Sequence, residues 1–270
     1  MQWWCAATTA EWTWNWRAYP GVWLLVLAIA GVYRRRLGLL PAFGRSPRHS
    51  AAFAAGLLVL WASLDWPLGA LGAGYLLSAH TVQYVLITLV AVPLLLLGVP
   101  ESAWPEPAGG ALGRFLQRVA HPAAGLLGYI GTMGLTHVPP VSDEMMASQA
   151  GSFAVDLLWL VGGFALWWPL LAPPALVRMS PPVRIGYLFA ATIPPTVPAA
   201  FMVFADYPLY GLYELAPRVH DIPAAADQQT AGVLMKAAMD PILWIAMGVV
   251  FFRWSRVEEK AERLAEEQGT

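Results

Sequence analysis

The stretch that decides the fold is Ser78-Ala79-His80-Thr81-Val82-Gln83-Tyr84-Val85-Leu86-Ile87, the opening of an apolar run that ends at Val99-Pro100. The run is long enough for a membrane helix, which needs about 20 apolar residues. His80, Gln83 and Tyr84 fall at i, i+3 and i+4, so a helix stacks them on one side. A polar stripe at the mouth of an apolar helix asks what it serves.

Working outward, the whole chain is of the same class. It has 270 residues, 58% apolar and only 12% charged. Soluble domains carry about 25% charged residues, so an integral membrane protein is expected. The formal net charge of −1 argues against a basic nucleic-acid binder. One cysteine, Cys5, excludes a disulfide framework or a cysteine-based metal cluster within one chain. No basic region and early apolar core open the sequence, so no cleaved signal peptide is expected.

Apolar segments predict seven transmembrane helices, at about 17–33, 50–66, 73–97, 121–137, 149–171, 183–204 and 231–252. Basic residues follow the odd-numbered spans. They are Arg34, Arg35, Arg36, Arg45 and Arg48, then Arg114 and Arg118, then Arg178 and Arg184, and finally Arg253, Arg256, Lys260 and Arg263. Thirteen of the sixteen Lys and Arg thus share one side, and only Arg17, Arg218 and Lys236 fall elsewhere. The positive-inside rule puts the N-terminus outside and the C-terminus in the cytoplasm. The expected fold is therefore an all-α, polytopic seven-helix domain over 1–252 with a charged, helical cytoplasmic tail over 253–270. Trp3, Trp4, Trp12, Trp14 and Trp16 precede the first span and read as an interfacial belt.

Candidate chemistry lies on the expected outer side. His80 opens the third span, His137 closes the fourth, His220 sits in the last outer loop, and Met145 and Met146 share that side. Imidazole and thioether suit Cu(I), so His80, His137, Met145 and His220 are candidate metal ligands. Ordinary interfacial side chains are the bland reading of the same pattern. His49 and His121, at the other ends of helices, read as interfacial or capping residues. Ionisable groups inside spans are costly, which singles out Asp156, Lys236 and Asp240 beside the polar Gln83 and Tyr84. Lys236 and Asp240 are spaced for a local ion pair, but similar depths predict instead a tie from Lys236 to Asp156. Asp240-Pro241 and Ile193-Pro194-Pro195-Thr196-Val197-Pro198 predict kinked or broken helices.

Taken in order, the motifs resemble those of the CtaG-type family of cytochrome c oxidase assembly factors, seven-span bacterial membrane proteins linked to copper delivery. Trp14-Asn15-Trp16 leads into the first span and Tyr33-Arg34-Arg35-Arg36 closes it. His80-Thr81-Val82-Gln83-Tyr84, then Pro93-Leu94-Leu95-Leu96-Leu97-Gly98-Val99-Pro100, is similar to the family's third span. His137-Val138-Pro139, Trp167-Trp168-Pro169, Tyr207-Pro208-Leu209-Tyr210 and Asp227-Gln228-Gln229-Thr230-Ala231-Gly232 complete the series. Asp227, Gln228, Gln229 and Gly232 form its most specific element.

There are departures. The family pattern places histidines where this chain has Tyr84, Ser152 and Asp156, and a tryptophan where it has Lys236. The resemblance implies a non-catalytic factor of the bacterial plasma membrane that supports biogenesis or copper handling of a haem-copper oxidase, with oxidase subunits and membrane lipid as partners. It implies at most transient copper. The lost imidazoles leave a second reading, a metal-free accessory subunit held permanently in a respiratory complex. A haem-bearing oxidoreductase needs paired axial histidines on facing helices, and only His80 and His137 could supply them.

Overall fold

The computed structural model describes residues 2–38, 46–104, 121–174 and 176–268, and every regular element among them is helical. Arg45, Arg114 and Arg118 of the basic series lie outside the described residues. In chain order the helices are α1 (Pro20–Gly38), α2 (Pro47–Leu64), α3 (Leu68–Gly74), α4 (Leu77–Leu97), α5 (Pro122–Thr136), α6 (Pro139–Met146), α7 (Gln149–Leu171), α8 (Pro181–Thr192), α9 (Thr196–Phe204), α10 (Gly211–Glu214) and α11 (Ala224–Gln268). A helix lies over each of the seven expected segments.

Among the described residues, four helical stretches are long and apolar enough to cross a membrane: Leu77–Leu97, Gln149–Leu171, Pro181–Phe204 and Ala224–Glu267. A fifth is added if α2 and α3, bent by 43° about residues 65–67, count as one span. The protein is thus a helical membrane protein. Seven crossings exceed what helix length and composition alone establish. The reason is visible in α5, whose 15 residues reach about 22 Å against a hydrocarbon core of about 30 Å.

The two proline steps act differently on the bundle. Residues 193–195 interrupt the α8–α9 span, as the Pro194-Pro195 pair predicts. The Asp240-Pro241 step does not interrupt α11, which runs unbroken into the charged tail. A second irregularity has no obvious sequence mark. Leu86–Ala91, in the middle of α4, is π-helical, and the Val92 amide bonds back to Ile87 O. The next bond of that pattern would come from residue 93, a proline without an N–H. Thr88 O, left over, accepts instead from the Trp167 indole at 3.0 Å. Trp167 of the neighbouring α7 thereby meets the carbonyl that Pro93 leaves without a donor.

Inside the bundle, α7 lies along α5 and α4, α2 packs on α4, and α11 contacts α4, α8 and α9. Close approach needs small residues. A Cβ on Gly56 would stand 2.8 Å from Leu95 N, and one on Gly163 would stand 3.0 Å from Thr88 O. Tyr33 OH donates to Gly98 O at 3.0 Å, which joins α1 to the end of α4. The opposite end of the bundle carries the N-terminal segment, α6, α10 and the start of α11, and it positions the polar stripe.

Candidate functional site

His80, Gln83 and Tyr84 all point into the bundle and are buried. Facing them from α7 are Ser152, Asp156 and Trp159, also buried. From α5 come Tyr129 and the terminal residue His137, and from α10 and the loop before it come Tyr213 and Tyr210. Gly72 lets α3 close over this group, because a Cβ there would lie 2.5 Å from Gln83 Oε1 and 3.0 Å from His80 Cα. Tyr213 OH donates to Gly72 O at 2.5 Å and holds the closure.

Asp156 is the centre of a hydrogen-bonded triad. Its Oδ2 accepts from the Trp4 indole at 2.7 Å and its Oδ1 from Gln83 Nε2 at 3.2 Å. Trp4 was expected in the interfacial belt, and this expectation is corrected. Trp14 and Trp16 are 58% and 57% exposed, but Trp4 is 0% exposed. A buried carboxylate needs donors, and an indole offers an N–H on an apolar body. The segment around Trp4 is fastened as a cover. Trp3 N and Trp4 N donate to Gln149 Oε1 at 2.7 and 3.3 Å, Gly21 N to Trp3 O at 2.9 Å, and Ala7 N to Met146 O at 3.2 Å. Cys5 is buried beneath it, with Sγ 3.4 Å from Leu64 O. Burial pushes its thiol well above the ordinary range, helped by the nearby Asp156 and Asp65 carboxylates.

The expected tie between Asp156 and Lys236 does not form. Lys236 Nζ bonds Asp240 Oδ1 at 2.9 Å, Thr196 Oγ1 at 3.0 Å and Thr192 O at 3.1 Å. The helix break explains this. Thr196 N turns to Ile193 O at 3.0 Å, so Thr192 O loses its helical donor and the ammonium replaces it. Depth alone matched the two residues. The break in the α8–α9 span supplied the cation with nearer partners.

His80 and His137 enter one aromatic cluster. The His80 ring lies edge-on to Trp159 at 4.6 Å, Trp159 meets Tyr84 at 5.3 Å, and Tyr84 meets His137 at 4.9 Å. His137 Nδ1 is engaged with Met133 O at 2.8 Å. The ring also borders an apolar pocket of about 540 Å³ lined by Met133, Pro194, Val197, Phe201 and Tyr210. Met145 is half-buried on α6. His220 stands exposed in a turn with φ 50°, followed by Asp221 with φ 55°, so it is not gathered with the buried pair.

Among the described residues no three His, Cys, Asp or Glu side chains are grouped to hold a metal ion. What the cluster offers is polar atoms. His80 Nδ1, Gln83 Oε1 and Ser152 Oγ are buried without a partner among the described residues.

The specific Asp227-Gln228-Gln229 element is architectural. Asp227 accepts from Leu77 N at 2.6 Å and from the Ser78 amide and hydroxyl, so a carboxylate from α11 caps the N-terminus of α4. Gln228 takes Leu209 N at 2.6 Å and donates to Tyr207 O at 3.2 Å, which pins the preceding loop. A Cβ on Gly232 would meet Ala199 O at 2.8 Å, so glycine lets α11 touch α9. Gln229 is exposed. His121 caps α5, its Nδ1 accepting from Ala123 N at 3.2 Å.

Two partners of the site carry no sequence signal that singles them out. Trp4 stands in a tryptophan-rich segment in which Trp3, Trp14 and Trp16 are exposed. Trp159 is one of many large apolar residues in the run that follows Asp156.

The family model described as cytochrome c oxidase caa3 assembly factor (Caa3_CtaG) matches residues 22–257. Trp4 and Cys5 precede the matched region. No curated protein and no solved structure matches the chain.

Proposed function

Since this chain belongs to the cytochrome c oxidase caa3 assembly factor family, we propose that it is a non-catalytic membrane factor that supports oxidase biogenesis by binding the immature oxidase. It spans the bacterial plasma membrane seven times, with the N-terminus outside and the C-terminus in the cytoplasm. Copper, where it is handled, is cargo held in passing by the imidazoles of His80 and His137, with Met145 and His220 as outlying ligands. The observation that carries this reading is the family match over residues 22–257. Asp156 is committed to the Trp4 indole and the Gln83 amide, so the centre of the cluster is a tied polar core and not a set of imidazoles.

The Asp156 triad favours a second reading, a metal-free accessory subunit that stays in the mature complex. Deletion followed by native purification of the oxidase separates the two. The assembly factor predicts loss of oxidase haem and copper on deletion and no stoichiometric copy of this chain in the mature complex. A stoichiometric copy favours the subunit. Normal oxidase content without the chain rejects both. Copper analysis of the purified chain should give well below one ion per chain, and His80→Ala should lower it further. Tight stoichiometric copper unaffected by His80→Ala would place the ligands elsewhere.

A further inference from the structure

At the end of the bundle opposite the Asp156 triad, a groove of about 510 Å³ runs between α4, α7, α8 and α11. Its walls are apolar and include Leu97, Trp167, Leu188, Ile245 and Val249. Two cations line it, Arg184 from the first turn of α8 and Arg253 from α11. Arg184 Nε is buried with no hydrogen-bond partner. Among the described residues neither arginine is joined to a carboxylate by an ion pair of the kind that links Lys236 to Asp240. The nearest acidic residue along α11, Glu258, is engaged with the Trp254 indole at 2.8 Å.

We propose that this groove is a binding site for an anionic glycerophospholipid, with the phosphodiester between Arg184 and Arg253 and an acyl chain along α11. An unpaired buried guanidinium N–H needs an acceptor. Guanidinium forks suit phosphate oxygens. The apolar walls reject a free anion and fit a chain attached to one. Length agrees as well. From Ile242 to Val257 the groove follows α11 for about 22 Å, more than the roughly 15 Å depth of one hydrocarbon leaflet. Basic pockets between helices at the cytoplasmic surface are where anionic headgroups are recognised, and this is the end where Arg34, Arg48, Arg184 and Arg253 gather.

The test compares the full chain with Arg184→Gln plus Arg253→Gln. Each is reconstituted in nanodiscs of phosphatidylcholine alone or with phosphatidylglycerol, and native mass spectrometry reads retained lipid. The wild type should retain phosphatidylglycerol at least ten-fold over phosphatidylcholine and melt at a higher temperature in its presence. The double variant should lose both effects while its stability in phosphatidylcholine stays unchanged. Arg253→Gln alone alters an exposed residue, so it should fold and still reduce the preference, and Arg34→Gln should not. Equal retention of the two lipids by the wild type would overturn the site. So would displacement by inorganic phosphate, or a groove occupied by a co-purifying protein helix without lipid.

Discussion

The bond between the Trp4 indole and Asp156 does two things at once. It satisfies a buried carboxylate, and it fastens an N-terminal segment across the mouth of a polar cluster. Trp4→Phe keeps the edge-on packing against Phe153, at 4.9 Å, and removes only the donor. It should cost about 1–3 kcal/mol, the usual range for stranding a buried polar group, read as a fall in thermal unfolding temperature in detergent. A loss below about 0.5 kcal/mol, the level of ordinary surface substitutions, would mean that Asp156 finds another donor. Cys5 reports on the same segment. Burial raises its thiol far enough that little thiolate exists at neutral pH. A maleimide should label the unfolded chain at once and the folded chain hardly at all. Trp4→Phe should speed labelling, and rapid labelling of the folded wild type would show that the cover is open.

Elements in this bundle are completed by residues from other elements. The N-terminus of α4 has no cap of its own, and Asp227, 149 or 150 positions away, supplies it. Asp227→Ala should therefore cost roughly 0.5–2 kcal/mol, as cap removal does. Because the bond spans α4 and α11, the loss should appear in exchange protection at both helix starts. Confinement of the effect to α11 would show that α4 holds its own terminus. The same logic joins Thr88 O to Trp167 and Thr192 O to Lys236. In each case an irregular helix exposes a carbonyl, and a long side chain from a neighbour takes it. Such carbonyls must be met inside the protein because lipid offers no donor.

For the whole molecule, the two ends differ in chemistry. One gathers Arg34, Arg48, Arg184 and Arg253. The other gathers the N-terminal cover, the Asp227 cap, His80, His137 and His220. The positive-inside rule assigns the basic end to the cytoplasm. Reporter fusions after Gly98 and at the C-terminus should both read cytoplasmic, and a fusion at the N-terminus should read external. A periplasmic C-terminus would overturn seven crossings.

The sequence by itself determined the class of molecule, the helical segments and the family. Hydropathy, basic segregation and ordered motifs are local properties that survive without coordinates. It also placed the break at Pro194-Pro195, because proline acts on its own helix. The inward face of α4 was legible too, since spacing by three and four residues is a property of one helix. Tertiary structure decided the partners. Asp156 and Lys236 matched in depth, yet each bonded elsewhere, because a carboxylate is satisfied by whichever donor the packed chain delivers. Trp4 could not be told from the exposed Trp14 and Trp16 until the N-terminal segment was seen folded over the bundle. Nor could Asp227-Gln228 be read as a cap and a loop pin. Their acceptors and donors lie on α4 and in the loop before α10, and only the folded bundle brings those groups within hydrogen-bond distance.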